Sequence, residues 1–196
     1  ILTKAESLFF KYGIKSISMD DLSRELGISK KTLYQSVENK KELVIQVFQN
    51  LIQKEIDAVI SIRKDADDAI DEMIEVARYV IPMLRQISPT LIFDIQKYYR
   101  DVWLLCEEFN QQEVFTVIKE NIERGIKEGI YREEFHSEII AKLYVGKTNL
   151  VIDEDIFPLK EYNKENLFKE HIQYHIRGIA TSKGLKLLEK HFKKLS

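Results

Sequence analysis

A short stretch near the N-terminus carries the side chains in this chain best suited to bind a nucleic acid. The segment KKTLYQSV, residues 30–37, is predicted to be helical, with Leu33 turned inward as an apolar anchor. Its solvent-facing side chains are polar or cationic: Lys30, Lys31, Thr32, Tyr34 and Gln35. Ammonium and hydroxyl groups suit phosphate oxygens, and an amide can pair with a base edge. Such a helix fits a DNA groove, although Lys30 and Lys31 could also be a solvated pair and Tyr34 a packing residue.

Other chemistry receives little support from the residue pattern. Gly-rich phosphate loops, Ser-His-Asp spacing and zinc-type cysteine clusters are missing from the sequence. Asp94, Glu107 and Glu108 read as solvated acids rather than a catalytic pair. His171 and His175 have metal-ligand spacing on one helix face, but no HExxH pattern surrounds them, which favours a structural or interface role. The sequence therefore predicts no catalytic residue, no metal site and no cofactor, and a chain that is not an enzyme.

The helix at residues 30–37 is predicted to be one of a closely spaced set between Ser18 and Leu43. Ser18 with Asp21 has the form of a capping box that opens a helix. Gly27 can adopt the left-handed conformation that ends this helix, and Ser29 can cap the next one. Helix, short Gly-containing turn and helix form the helix-turn-helix pattern, which places its second helix in the major groove.

The first 43 residues resemble the TetR family of bacterial transcriptional repressors. The resemblance rests on matches in the first helix, the turn and the start of the fourth helix: Ala5, Leu8, Phe9, Gly13, Ser18, Gly27, Ser29, Thr32, Leu33, Tyr34, Lys40 and Leu43. Lys31, Ser36 and Val37 depart from the family's pattern at the recognition helix. The resemblance implies a DNA-binding site made by Ser18, Ser29, Lys30, Lys31, Thr32, Tyr34, Gln35 and Lys40. Within it, phosphate contacts are expected from Ser18, Lys30, Tyr34 and Lys40, and base contacts from Lys31, Thr32 and Gln35.

Composition bounds the remaining possibilities. The 196 residues include three prolines and seven glycines, which with many Leu, Ile, Lys and Glu predicts an all-α protein. The net charge is −2, but residues 1–50 carry eight Lys and Arg against six Asp and Glu. The single cysteine, Cys106, excludes an intramolecular disulfide and favours the cytoplasm. No apolar run suggests a membrane span or signal peptide. The chain begins at Ile1 inside a helical pattern, so a short preceding segment is expected.

A larger helical region is predicted to follow the DNA-binding head. We assign residues 1–45 to the helix-turn-helix domain and residues 46–196 to a helical domain that binds an effector and dimerises. Pro82 is expected to kink a helix spanning Ala69 to Gln86. The segment from Thr90 to Phe109 is unusually aromatic and could line a ligand pocket or fill the core. The candidate effector contacts are Phe93, Tyr98, Trp103 and Phe109.

The predicted function is a ligand-responsive homodimeric DNA-binding regulator, a repressor released by a small apolar or amphipathic effector. Its partners would be a double-stranded DNA operator, a second copy of the chain and the effector. The helices at 139–151 and 167–179 are expected to form the dimer seam, with recognition helices about 34–36 Å apart on DNA. The alternative is a regulator without a small-molecule effector, either constitutive or controlled by a protein partner.

Overall fold

The computed structural model describes residues 1–151, 153, 155–158 and 160–195, and its architecture is all-helical. Within that part of the chain, the only extended pairing is an isolated antiparallel bridge between Tyr131 and Ala180. The helices are α1 Leu2–Tyr12, α2 Met19–Leu26, α3 Lys30–Ser36, α4 Lys40–Asp65, α5 Ala69–Gln86, α6 Pro89–Tyr98, α7 Arg100–Phe109, α8 Phe115–Lys127, α9 Ser137–Val151, α10 Lys164–Ile179 and α11 Ser182–His191. A π-helical turn, Asn110–Val114, links α7 to α8, and a 3₁₀ turn, Phe192–Leu195, follows α11. The all-α prediction is confirmed.

The chain divides into two compact units. The first unit comprises Ile1–Ile56 and Gln86–Phe109, and the second unit comprises Asp57–Arg85 and Asn110–Ser196. The first unit thus combines the N-terminal helices with α6 and α7, and α4 contributes residues to both units. The assignment of residues 1–45 and 46–196 to separate functional domains stays a prediction.

The core of the first unit forms where apolar positions recur at helical spacing. Ala5 and Phe9 of α1 are fully buried, as are Leu22 of α2 and Leu33 of α3. The start of α4 adds Leu43, Val44, Val47 and Phe48 to the buried set. These positions lie three or four residues apart, so each helix turns one stripe toward a common core. The three short helices are thereby fixed against the first turns of α4.

The aromatic segment of the first unit is two helices rather than one. Ser88 caps α6 by accepting a hydrogen bond from the Leu91 backbone N–H at 3.2 Å, and Pro89 occupies the first helical position. Helix α6 ends at Tyr98 because Tyr99, with φ −126° and ψ 58°, leaves the helical region, and α7 starts at Arg100. The sequence does not mark this break with glycine or proline.

The second unit is built from α5 and α8–α11 around an apolar core and a buried ion-pair cluster. Helix α5 continues through Pro82 to Gln86. The Glu72 carboxylate is 1% exposed and pairs with both Arg63 and Arg124, each at 3.1 Å. Asn121 donates from Nδ2 to the Ala69 carbonyl at 2.8 Å. These polar contacts join the end of α4, the start of α5 and α8.

Candidate nucleic-acid interface

Helix α2 begins with a complete capping box. The Ser18 Oγ accepts a hydrogen bond from the Asp21 N–H at 3.0 Å, and the Asp21 carboxylate accepts from the Ser18 N–H at 2.9 Å and from its hydroxyl at 2.6 Å. These bonds stabilise the ionised carboxylate and lower the pKa of Asp21. The predicted cap is confirmed. It fixes the Ser18 hydroxyl at the exposed N-terminus of α2.

The turn between α2 and α3 has the expected geometry. Gly27 ends α2 in the left-handed conformation with φ 65° and ψ 27°, which glycine adopts without steric cost. Two residues later Ser29 caps α3, accepting from the Thr32 N–H at 3.0 Å. The Ser29 and Thr32 hydroxyls also lie 2.8 Å apart. A turn this short fixes the angle between α2 and α3.

Helix α3 buries one side chain and exposes the others. Leu33 is fully buried, whereas Lys31 and Gln35 are exposed and Tyr34 is 42% exposed. This pattern leaves a polar outer face on a helix of about two turns, free to enter a groove. We therefore find the predicted contact residues of α3 together on one accessible surface.

Lys30, the first residue of α3, is paired with an acid of the same head. The Lys30 Nζ lies 2.7 Å from the Asp20 carboxylate, which raises the pKa of Lys30 by hydrogen bonding and charge. Both groups are more than half exposed, so this pair is weak and can exchange its partner for a phosphate.

Lys40 stands at the start of α4, which Asn39 caps by accepting from the Glu42 N–H at 3.0 Å. Partial burial lowers the pKa of Lys40, while the negative charges of Asp94 and Asp21 act in the opposite direction. Lys40 is thus less exposed than the lysines of α3. It lies beside free backbone N–H groups, where a phosphate is favoured.

Helix α6 supports this head through contacts that sequence reasoning missed. The prediction that Asp94 is solvated is wrong: its carboxylate is 3% exposed and accepts a hydrogen bond from the Lys15 backbone N–H at 2.8 Å. The Ser88 N–H donates to the Phe10 carbonyl at 3.1 Å. Gly13 has φ +80°, and a Cβ there would lie 2.6 Å from the Thr90 methyl carbon. The turn after α1 is therefore fitted closely against α6.

The four predicted effector residues do not share one environment. Phe93 is 52% exposed and Tyr98 45% exposed, whereas Trp103 and Phe109 are half-buried. In the same unit, burial raises the pKa of Glu55 to about 7. Burial and the neighbouring Glu55 raise the pKa of the Cys106 thiol to about 12, which leaves it protonated and unreactive at neutral pH.

A metal-binding cluster and a membrane-spanning helix are both absent from the described part of the chain. In the described part of the chain, no cluster of three or more His, Cys, Asp or Glu could hold a metal ion. No helix formed by those residues is long and apolar enough to span a membrane. His171 and His175 are buried on α10, packed around the Tyr144 ring with ring centres 4.6 and 4.8 Å apart.

The first unit contains a helix-turn-helix of the DNA-binding type. Its features are the two capped helices α2 and α3, the glycine turn between them and the polar surface of α3. Residues 1–47 match the model of the family described as "Bacterial regulatory proteins, tetR family". The chain is 25% identical over 150 residues to the HTH-type transcriptional regulator YvaF of Bacillus subtilis, covering 74% of this chain and 75% of that protein. It is 24% identical over 157 residues to IcaR of Staphylococcus epidermidis, the biofilm operon icaADBC HTH-type negative transcriptional regulator, covering 80% and 74%.

The fold is shared with solved structures as well. The crystal structure of FadR from Bacillus subtilis, in complex with stearoyl-CoA, superposes with a TM-score of 0.67 at 15% identity, covering 91% of this chain and 97% of that one. Residues 1–47 therefore match tetR-family bacterial regulatory proteins, and the relatives that are similar over about three quarters of this chain are HTH-type transcriptional regulators.

Proposed function

We propose that the protein is a homodimeric, ligand-responsive repressor whose α3 reads an operator in the major groove. The observation that carries this proposal is the surface of α3, where Leu33 alone is buried and polar side chains face outward. Lys31, Thr32 and Gln35 contact base edges. Phosphates are held by Ser18, Lys30, Tyr34 and Lys40, and Ser29 caps α3 at the same surface. IcaR of Staphylococcus epidermidis is a negative transcriptional regulator, and we assign repression to this chain as well.

The proposed dimer seam lies on α9 and α10, both in the second unit. Ile139 and Leu143 are each 56% exposed and Leu150 is 45% exposed, so α9 carries an apolar stripe at helical spacing. On α10, Tyr174 is 70% exposed. A two-fold contact between such faces buries them without any new fold element. The same seam places two DNA-binding heads on one operator in the cytoplasm.

The proposed effector is a small apolar or amphipathic molecule that contacts the aromatic residues of α6 and α7. FadR of Bacillus subtilis binds stearoyl-CoA on the same fold, which supports an amphipathic ligand class. Trp103 and Phe109 are the better candidates among the four, because their side chains are half-buried whereas those of Phe93 and Tyr98 are exposed. An effector acts only if it binds one arrangement of the heads more tightly than another. Helix α4, with residues in both units, is the element through which that preference reaches Lys40.

One observation favours the second candidate, a regulator without a small-molecule effector. Two depressions on the surface of the described residues are both open to solvent. One is lined by residues of α1, α2 and the turn between them, and the other by residues of α8, α9 and their connection. Neither includes Phe93, Tyr98, Trp103 or Phe109.

DNA affinity measured over a range of salt concentrations tests the assignments of Lys40, Tyr34 and Gln35. Lys40→Ala should weaken binding to all duplexes and lower the salt slope by about one unit per head, because a phosphate contact carries no sequence information. Tyr34→Phe should also weaken binding of the protein to all duplexes. Lys190→Ala on α11 is the matched loss of charge and should change nothing. A Lys40→Ala defect confined to one DNA sequence would contradict the phosphate role.

A further inference from the structure

Two lysines and two aromatic rings cluster at the exposed end of α6. The Lys15 Nζ lies 3.8 Å from the centre of the Tyr98 ring. The Lys97 Nζ lies 5.0 Å from the Phe93 ring centre and 5.4 Å from that of Tyr98. The two rings meet edge to face with centres 6.0 Å apart. We name Lys15, Phe93, Lys97 and Tyr98 the cation–aromatic patch.

The patch is accessible and carries positive charge. Both lysines are exposed, and the two rings are about half exposed. Among the described residues, neither Lys15 nor Lys97 forms an ion pair with an acid. The rings attract the ammonium groups without neutralising them. Each lysine is therefore partly ordered, yet its charge remains available to an anion.

The patch adjoins the proposed phosphate-binding end of α4. The Asp94 carboxylate fixes the Lys15 backbone, and Asp94 and Lys15 both act electrostatically on Lys40. The Lys41 Nζ pairs with the Asp101 carboxylate at 2.5 Å, which joins the first turn of α4 to the first turn of α7. The end of α6 is thus placed beside the start of α4.

The acids near the patch already have partners. Asp94 is buried and accepts from the Lys15 N–H, and Asp101 is paired with Lys41. Asp21, which also acts on Lys40, is bonded to Ser18. The exposed ammonium groups of Lys15 and Lys97 therefore give this surface its outward charge.

We propose that the cation–aromatic patch is a second DNA-backbone site, outside the helix-turn-helix motif, where Lys15 and Lys97 bind phosphates. Phosphate oxygens complement the two cations, and the site is continuous with the phosphate contact proposed for Lys40. The Tyr98 and Phe93 rings hold the lysines in position, which gives these rings a role other than effector binding. The inference rests on the proposed function of the head.

The test is the salt dependence of binding to a mixed-sequence DNA duplex of about 30 base pairs, followed by fluorescence anisotropy. One phosphate contact contributes a slope of about −0.9, which corresponds to about an eight-fold change in affinity between 1 M and 0.1 M salt. Lys15→Ala and Lys97→Ala should each lower the slope by about 0.9 per head and weaken binding about eight-fold per head at 0.1 M salt. Lys97→Arg should keep the slope, as should Lys190→Ala.

The outcomes separate the patch from the head. If Lys40→Ala lowers the slope and both Lys15→Ala and Lys97→Ala behave like Lys190→Ala, the patch proposal is overturned and the proposed function stands. If the Lys40→Ala slope is also unchanged, the phosphate assignment of the head fails. Tyr98→Ala should weaken binding through Lys15, whereas Tyr98→Phe, which keeps a ring under the ammonium group, should not. Circular dichroism confirms that each variant is folded, and Lys97→Ala provides the test if Lys15→Ala is not.

Discussion

The buried histidines of α10 predict a specific dependence of stability on pH. Desolvation lowers the pKa of His171 to about 4 and that of His175 to about 3, with the positive charge of Lys147 contributing to both. His171 shares a 3.3 Å hydrogen bond with Thr148, whereas His175 Nε2 is buried without a partner among the described residues. Both rings are thus neutral in the folded protein near neutral pH.

Because the folded-state pKa values are lowered, the unfolded chain takes up protons first as the pH falls. The contribution of the two neutral histidines to the unfolding free energy is fully present above their unfolded-state pKa of about 6.5. It is lost as the pH falls toward their folded-state pKa values of about 4 and 3. As the pH falls from 8 to 5, each histidine lowers the unfolding free energy by about 2 kcal/mol. Glu55, with its pKa raised to about 7, acts in the opposite direction over this range. The prediction therefore concerns the difference between wild type and a histidine variant in how the unfolding free energy changes with pH.

Urea unfolding followed by circular dichroism at pH 8, 7, 6 and about 5 measures this difference. His175→Leu removes the titrating group, whose buried Nε2 has no hydrogen-bond partner among the described residues. Its unfolding free energy should fall by about 2 kcal/mol less than that of wild type between pH 8 and 5. His136→Gln, at an exposed position, should follow the wild-type curve. Parallel curves for wild type and His175→Leu would refute the assignment of a buried, neutral His175.

Three further expectations concern the core, the seam and the effector. Glu72→Ala leaves Arg63 and Arg124 without their shared carboxylate and should cost about 3–5 kcal/mol in urea unfolding, whereas Glu133→Ala on the exposed surface should cost little. Leu143→Asp places a charge in the proposed seam and should convert a dimer to monomers by light scattering without lowering monomer helicity; an unchanged dimer would move the seam elsewhere. Effector binding should quench or shift Trp103 fluorescence and lower DNA affinity by about 1–3 kcal/mol of coupling. If Trp103→Ala leaves induction unchanged in a folded protein, the pocket lies elsewhere.

The helix-turn-helix could be predicted because its signals are local. Ser18 and Asp21 carry their own capping geometry, Gly27 supplies the left-handed turn, and Ser29 caps the next helix within a few residues. The alternation of buried Leu33 with polar neighbours likewise lies within one helix. Each of these features depends on backbone rules that act over three or four residues, so sequence alone was sufficient.

The contacts between α6 and the head could not be predicted in this way. Lys15 and Asp94 are 79 residues apart, and no local periodicity shows that a carboxylate of α6 will accept from the turn after α1. No glycine or proline in the sequence marks the end of α6 before Tyr99. The electrostatic effect of Asp94 on Lys40 likewise acts between residues far apart in the sequence. The exposure of Phe93 and Tyr98 could not be predicted either, because aromatic residues close together in the sequence can lie in a core or on a surface.

The DNA sequence selected by the protein from a random pool tests the central claim most directly. Wild-type protein should enrich a two-fold symmetric site whose half-sites lie about 10–10.5 base pairs apart, or a multiple of that spacing, because two heads read one face of the duplex. Gln35→Ala should select a motif altered at one symmetry-related position, with discrimination there reduced by about 1–3 kcal/mol. Selection of the same motif by wild type and Gln35→Ala, or of no motif by folded wild-type protein, would contradict base reading by α3.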